Sequence, residues 1–140
     1  MIADKRRDIE SVESQIVLDR LDIRARTEEL KLLRNGWFDG VGVAPDCAGL
    51  EWLAESFGTS YPDDLPLPYL FPTPAGQVLA EWSQKPWSSS LEIDLGTKSA
   101  DWHTLELESE REEAKVLDLT NADDWNWLAQ EIRSRSGEAR

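Results

Sequence analysis

The chain holds 140 residues, 40% of them hydrophobic and seven of them Trp, with a formal net charge of −13; this composition is globular and fits one domain over residues 1–140. Its single cysteine, Cys47, excludes an internal disulfide framework, and its single histidine, His103, leaves too few ligands for a zinc site built on Cys and His. Residues 36–130 hold 18 acidic and four basic side chains, whereas residues 1–35 hold eight of each, so the middle of the chain repels nucleic-acid phosphates and anionic membranes and favours a basic partner.

In chain order, residues 4–34 read as one helix or two. Ile9, Ile16, Ile23 and Leu30 recur every seven residues and share one stripe. The companion positions are Val12, Asp19, Arg26 and Leu33, and the two charges among them weaken a coiled-coil seam. The stripe either docks on the chain's own sheet or pairs with a second copy. Asn35-Gly36 stops the helix. The loop that follows carries Gly36, Gly40 and Gly42 ahead of a helix, a placement that suits a tight turn or an anion site. No Lys or Arg occurs between Arg34 and Lys85, and Asp39 and Asp46 would repel phosphate, so the tight turn is favoured. Asp46 is the N-cap of a short helix over residues 47–57, with Leu50, Leu53 and Phe57 on its apolar side.

From residue 67 the hydrophobic period becomes two. Strands are expected near residues 68–72, 77–83, 89–95, 101–107 and 114–119, joined by turns at Pro72-Thr-Pro-Ala-Gly76, Lys85-Pro86 and Gly96-Thr97-Lys98. Turns this short favour an antiparallel meander of four or five strands. Thr120-Asn-Ala-Asp123 has the spacing of a capping box and opens a final helix with Trp125, Leu128 and Ile132 on one side. Residues 134–140 read as a frayed tail. The expected fold class is α+β, with a helical arm or packed helix at 4–34 and an acidic core at 36–133.

The strands also suggest where the acid goes. Leu91, Ile93 and Leu95 alternate with Ser90, Glu92 and Asp94, and Leu105 and Leu107 alternate with Glu106 and Glu108. With the leucines turned to the helices, Glu92, Asp94, Glu106 and Glu108 share the other face, joined by Trp102 and by Trp82. Such a face is either solvated, as one side of an antiparallel sheet commonly is, or a binding surface for a cationic partner.

Other chemistries find less support. A glycosidase-like pair drawn from Glu81, Glu92 and Asp94 needs a cleft. The carboxylates of Asp118-Leu-Thr-Asn-Ala-Asp-Asp124 match helix capping better than the twelve-residue calcium loop. A Cys47–His103 nucleophile pair lacks a third group to orient it. No cofactor and no metal are expected.

Trp37-Phe-Asp-Gly-Val-Gly-Val-Ala-Pro45 is followed by a short helix, the Pro-rich Leu65-Pro-Leu-Pro68, the turn at 72–76, Glu81-Trp82 and the Leu91–Asp94 strand. Over roughly residues 30–130 this order resembles a group of small, uncharacterised acidic bacterial proteins associated with mobile elements and with toxin–antitoxin or defence genes. Their loop motif places Trp37, Asp39, Gly40 and Gly42, although Phe38 separates Trp37 from Asp39 here. The resemblance implies an antitoxin-like or immunity-like role and transfers no catalytic residue.

The expected function is a non-catalytic, acidic binding protein that covers a basic surface of a protein partner. An enzyme using a carboxylate pair and a structural subunit oligomerising through residues 4–34 are the alternatives. The N-terminus lacks the apolar stretch of a signal peptide and no run approaches the roughly 18–20 apolar residues of a membrane span, so a cytoplasmic location is expected.

Overall fold

The computed structural model describes residues 22–138. The expectations for residues 4–21, including the stripe positions Ile9 and Ile16, lie outside the described residues. Within them the elements run α1 (Asp22–Leu30), α2 (Cys47–Ser60), β1 (Tyr69–Pro72), β2 (Val78–Gln84), β3 (Trp87–Ile93), β4 (Ser99–Glu106), β5 (Glu112–Asp118) and α3 (Ala122–Glu138). The strands form one antiparallel meander in the order β1-β2-β3-β4-β5, and the class is α+β.

Each boundary has a local cause. Asp46 caps α2 by accepting the Gly49 amide at 2.7 Å. Gly49 is also a packing position: a Cβ there would lie 2.7 Å from Leu95 Cβ, so only glycine lets α2 approach the end of β3 this closely. At the start of α3 it is Asn121, rather than the expected Thr120, whose side chain accepts an amide, that of Asp123 at 2.8 Å. Thr120 instead donates its amide and hydroxyl to Asp118.

Alternate strand residues turn to the helices and are buried: Leu70, Val78, Ala80, Trp82, Leu91, Ile93, Ala100, Trp102 and Leu117. They meet Leu50, Leu53 and Phe57 of α2 and Trp125, Leu128 and Ile132 of α3 in one hydrophobic cluster. An aromatic chain threads this core, from Trp125 through Phe57 (5.2 Å between centroids) and Tyr61 to Trp82, then to Trp102 (5.8 Å) and Trp127 (6.1 Å). Burying rings of this size is the largest single source of stabilisation per residue.

The tail expected to fray is ordered helix as far as α3 runs. Arg135 is only 4% exposed. Its guanidinium lies 4.5 Å over the Trp87 ring and 5.7 Å from that of Trp102, while Nη1 donates to the Glu131 carbonyl and carboxylate. The flat, weakly hydrated guanidinium suits an aromatic slot. Gln84 ties the same turn down by donating to Ile132 O and Ser136 Oγ.

Candidate functional site

One face of the sheet is covered by helices and the other is open. The register sets the open face in cross-strand rows. One row runs Phe71, Leu79, Glu92, Asp101, Val116; the next runs Tyr69, Glu81, Ser90, His103, Ala114; a third runs Ser83, Ser88, Leu105, Glu112. Carboxylates therefore occupy the middle of the face, and Phe71 and Val116, 40% and 70% exposed, close the ends of the central row.

Glu92 and Asp101 stand directly opposite each other on β3 and β4. Like charges in that position are destabilising. Among the described residues no Lys or Arg lies within ion-pair distance of Glu81, Glu92 or Asp101, and the one weak contact on the face is His103 Nε2 to Glu112 Oε1 at 3.7 Å. The charge of this face is left to solvent or to a partner.

The membership differs from the sequence expectation. Trp102 and Trp82 do not belong to the acidic face: they are 1% and 3% exposed on the covered side. Trp82 Nε1 donates to Tyr61 Oη at 3.1 Å and to Pro66 O at 3.2 Å. Glu106 shares the parity of Trp102 and sits half-buried at the sheet margin, where it accepts from Ser109 Oγ, and Glu108 lies exposed in the turn beyond β4. For Trp102, Glu106 and Glu108 the physical reason is the β3–β4 hairpin, whereas Trp82 is inward because the two-residue turn at Lys85-Pro86 pairs it with buried Ser89. Asp94 and Ser99 flank four turn residues, so Ile93 faces Ala100 and Leu91 faces Trp102. An even turn pairs odd positions with even ones, and inward leucines on β3 demand inward Ala100, Trp102 and Thr104 on β4. Leu105 consequently falls on the open face and Leu107 in the turn. Sequence reasoning missed Asp101 and His103 for the same cause, and counting the turn residues would have found them; it missed Glu112 because the last strand starts at that residue and not near 114.

Glu92 keeps its expected place. Asp94 has the open-face parity but is occupied locally: the Thr97 amide, with that of Gly96, holds its carboxyl below the ordinary carboxylate range against the opposing effect of burial. It shapes the turn.

The glycine loop is a rigid tight turn. Phe38 and Val41 form a β-bridge, and Gly36 N donates to Gly42 O at 2.8 Å. Gly36, Asp39, Gly40 and Gly42 all have positive φ. At Gly42 a Cβ would lie 3.0 Å from that of Phe38, so the close approach of the chain here favours glycine. Trp37 Nε1 donates to Val43 O at 2.9 Å, and Val43 N to Pro74 O at 2.8 Å, which latches the loop to the β1–β2 turn. Phe38, Val41 and Val43 remain exposed.

Among the described residues no group of three or more His, Cys, Asp or Glu is placed to hold a metal ion. Cys47 is exposed at the start of α2, and His103 lies on the open sheet face, with no bond between them. A groove of about 540 Å³ between α1, α2 and the following loop is lined by Ile23, Arg24, Glu55, Phe57, Asp63 and Leu67 among others; Glu81, Glu92 and Asp94 do not line it. No helix among the described residues is long and apolar enough to cross a membrane. No protein-family model matches this chain, and no curated protein or solved structure is significantly similar to it.

Proposed function

We propose that this protein is a non-catalytic, acidic binding protein that covers a basic surface of a protein partner, in the manner of an antitoxin, immunity protein or inhibitor, in the cytoplasm. The observation that carries the reading is the Glu92–Asp101 pair, two like charges opposed on an open face with no cation beside them among the described residues. Repulsion of this kind weakens the isolated protein. Docked Lys or Arg side chains would convert it into attraction, so the same residues that cost stability alone contribute to association and speed it. Phe71, Tyr69 and Val116 at the rim supply apolar contact beside the charge. The resemblance of residues 30–130 to bacterial proteins near toxin–antitoxin and defence genes points to the same kind of role.

The test replaces Glu81, Glu92, Asp101 and Glu112 together by Gln or Asn. A basic partner recovered with the wild-type chain should be lost from the variant, its affinity for the wild type should fall as salt rises, and the circular-dichroism spectrum should not change. A partner that binds the neutralised variant equally well would overturn the choice of face.

A further inference from the structure

The two edges of the sheet are finished differently. At the β1 edge α1 lies alongside, and Arg26 Nε donates to Leu70 O at 3.0 Å, consuming an outward carbonyl. Pro68 and Pro72 bracket the strand. The β5 edge has no such cover among the described residues. Its ladder to β4 is framed by Glu106 N to Arg111 O and Leu119 N to Lys98 O, both 2.9 Å. Alternation between those bonds turns the main-chain groups of Glu113, Lys115 and Leu117 toward β4, and those of Glu112, Ala114, Val116 and Asp118 outward. Asp124 accepts the Asp118 amide at 2.7 Å. The N–H and C=O groups of Glu112, Ala114 and Val116 have no partner among the described residues.

Exposed edges are ordinarily guarded, most often by lysine. The one lysine of β5 is turned away: Lys115 Nζ lies 4.7 Å over the Trp127 ring, on the covered side. The outward residues are an acid, an alanine and a valine, and the side chain of Val116 is next to Asp101. The edge is open in its main chain and acidic in its surroundings.

We infer that β5 receives an added strand from the partner, an extended segment with basic residues at alternate positions. Its main chain would pair with Glu112, Ala114 and Val116, and its Lys or Arg side chains would lie over Glu112 and Asp101 on the open face. A second copy of this chain is the poorer occupant, because edge-to-edge pairing would continue one acidic face into another, each copy carrying a charge of −13. The inference rests on the proposed basic partner and adds how that partner is held.

The probe is the peptide Lys-Thr-Lys-Val-Lys-Thr-Lys, compared with the same peptide N-methylated on the residues that would bond to β5. Both are titrated into the full, isotope-labelled chain. The unmodified peptide should shift the amides of Glu112, Ala114 and Val116 and slow their exchange. N-methylation should weaken binding about tenfold or more, the loss expected from one or two main-chain hydrogen bonds. Ala114→Pro, which removes an outward N–H that β4 does not use, should do the same. Equal binding of the two peptides, with the shifts spread over Glu81, Glu92 and Asp101, would overturn strand addition and leave the acidic face standing. No binding of either peptide would count against both. Slow exchange at Ala114 and Val116 without peptide, in a chain that sediments as a dimer, would assign the edge to a second copy and overturn the inference.

Discussion

The two faces of the sheet are made from alternate residues of the same five strands and obey different rules. On the covered face size decides: Trp87 and Trp102 lie against Arg135 of α3, Trp82 packs on Tyr61 and Trp102, and all three are nearly inaccessible. On the open face charge decides: Glu81, Glu92, Asp101 and Glu112 stand in solvent, and two of them oppose each other at a cost. A residue chosen for stability alone would not be an acid facing an acid. The covered face therefore carries the fold, and the open face carries charge that does not stabilise it.

The largest test of that division is Trp102→Ala. The ring is 1% exposed and contacts Trp82, Trp127 and Arg135, so truncation should lower the stability measured by urea unfolding by about 3–5 kcal/mol. A loss as small as that of an exposed residue would show that the covered face does not carry the fold. Glu92→Lys should act in the opposite direction. It replaces a repulsion across β3 and β4 by an attraction to Asp101, and a gain of about 0.2–1 kcal/mol in the same assay is expected. The gain should disappear in the Asp101→Asn background, which separates the cross-strand effect from any general effect of lowering net charge.

The hairpin explains why the faces were only partly legible in the sequence. Periods, caps and short turns mark the elements themselves: Asp46 caps α2, and the meander follows from its turns. The side that each strand presents is a matter of register. Leu105 and Leu107 look like inward residues, which would turn Glu106, Glu108 and Trp102 to the acidic face, yet an even turn after Asp94 reverses that parity. Arg135 was hidden for a different reason. An arginine near a chain end reads as solvent-exposed, and only the three-dimensional slot between Trp87 and Trp102 makes it a packing residue. The acidity of the middle of the chain was legible, but its arrangement as an opposed pair required the register.

The smallest expected effect concerns the helices that flank the sheet. Glu51 of α2 accepts from Lys31 Nζ at 2.7 Å and from Arg24 Nη1 at 2.8 Å, clamping α1 to α2. The hydrogen bond from Lys31, and then that from Arg24, lower its carboxyl from 4.5 to about 2. A depressed carboxylate contributes stability above its unfolded value, and that contribution is lost as pH falls from 4.5 through about 2. Amides of α1 should lose exchange protection over this window, and Glu51→Gln should abolish the pH dependence. Glu51 and Arg24 are exposed and the change in global stability should be slight. A change as large as that from Trp102→Ala would show that the helix layer, and not the covered face, limits the fold.

The seven tryptophans also divide the molecule optically. Four are buried in the core, Trp52 and Trp127 pack half-buried against it and Trp37 is half-buried in the glycine loop, so none stands on the open sheet face. Their emission reports on the integrity of the interior. A partner resting on Glu92 and Asp101, as proposed, would touch no indole ring and should leave that emission unchanged.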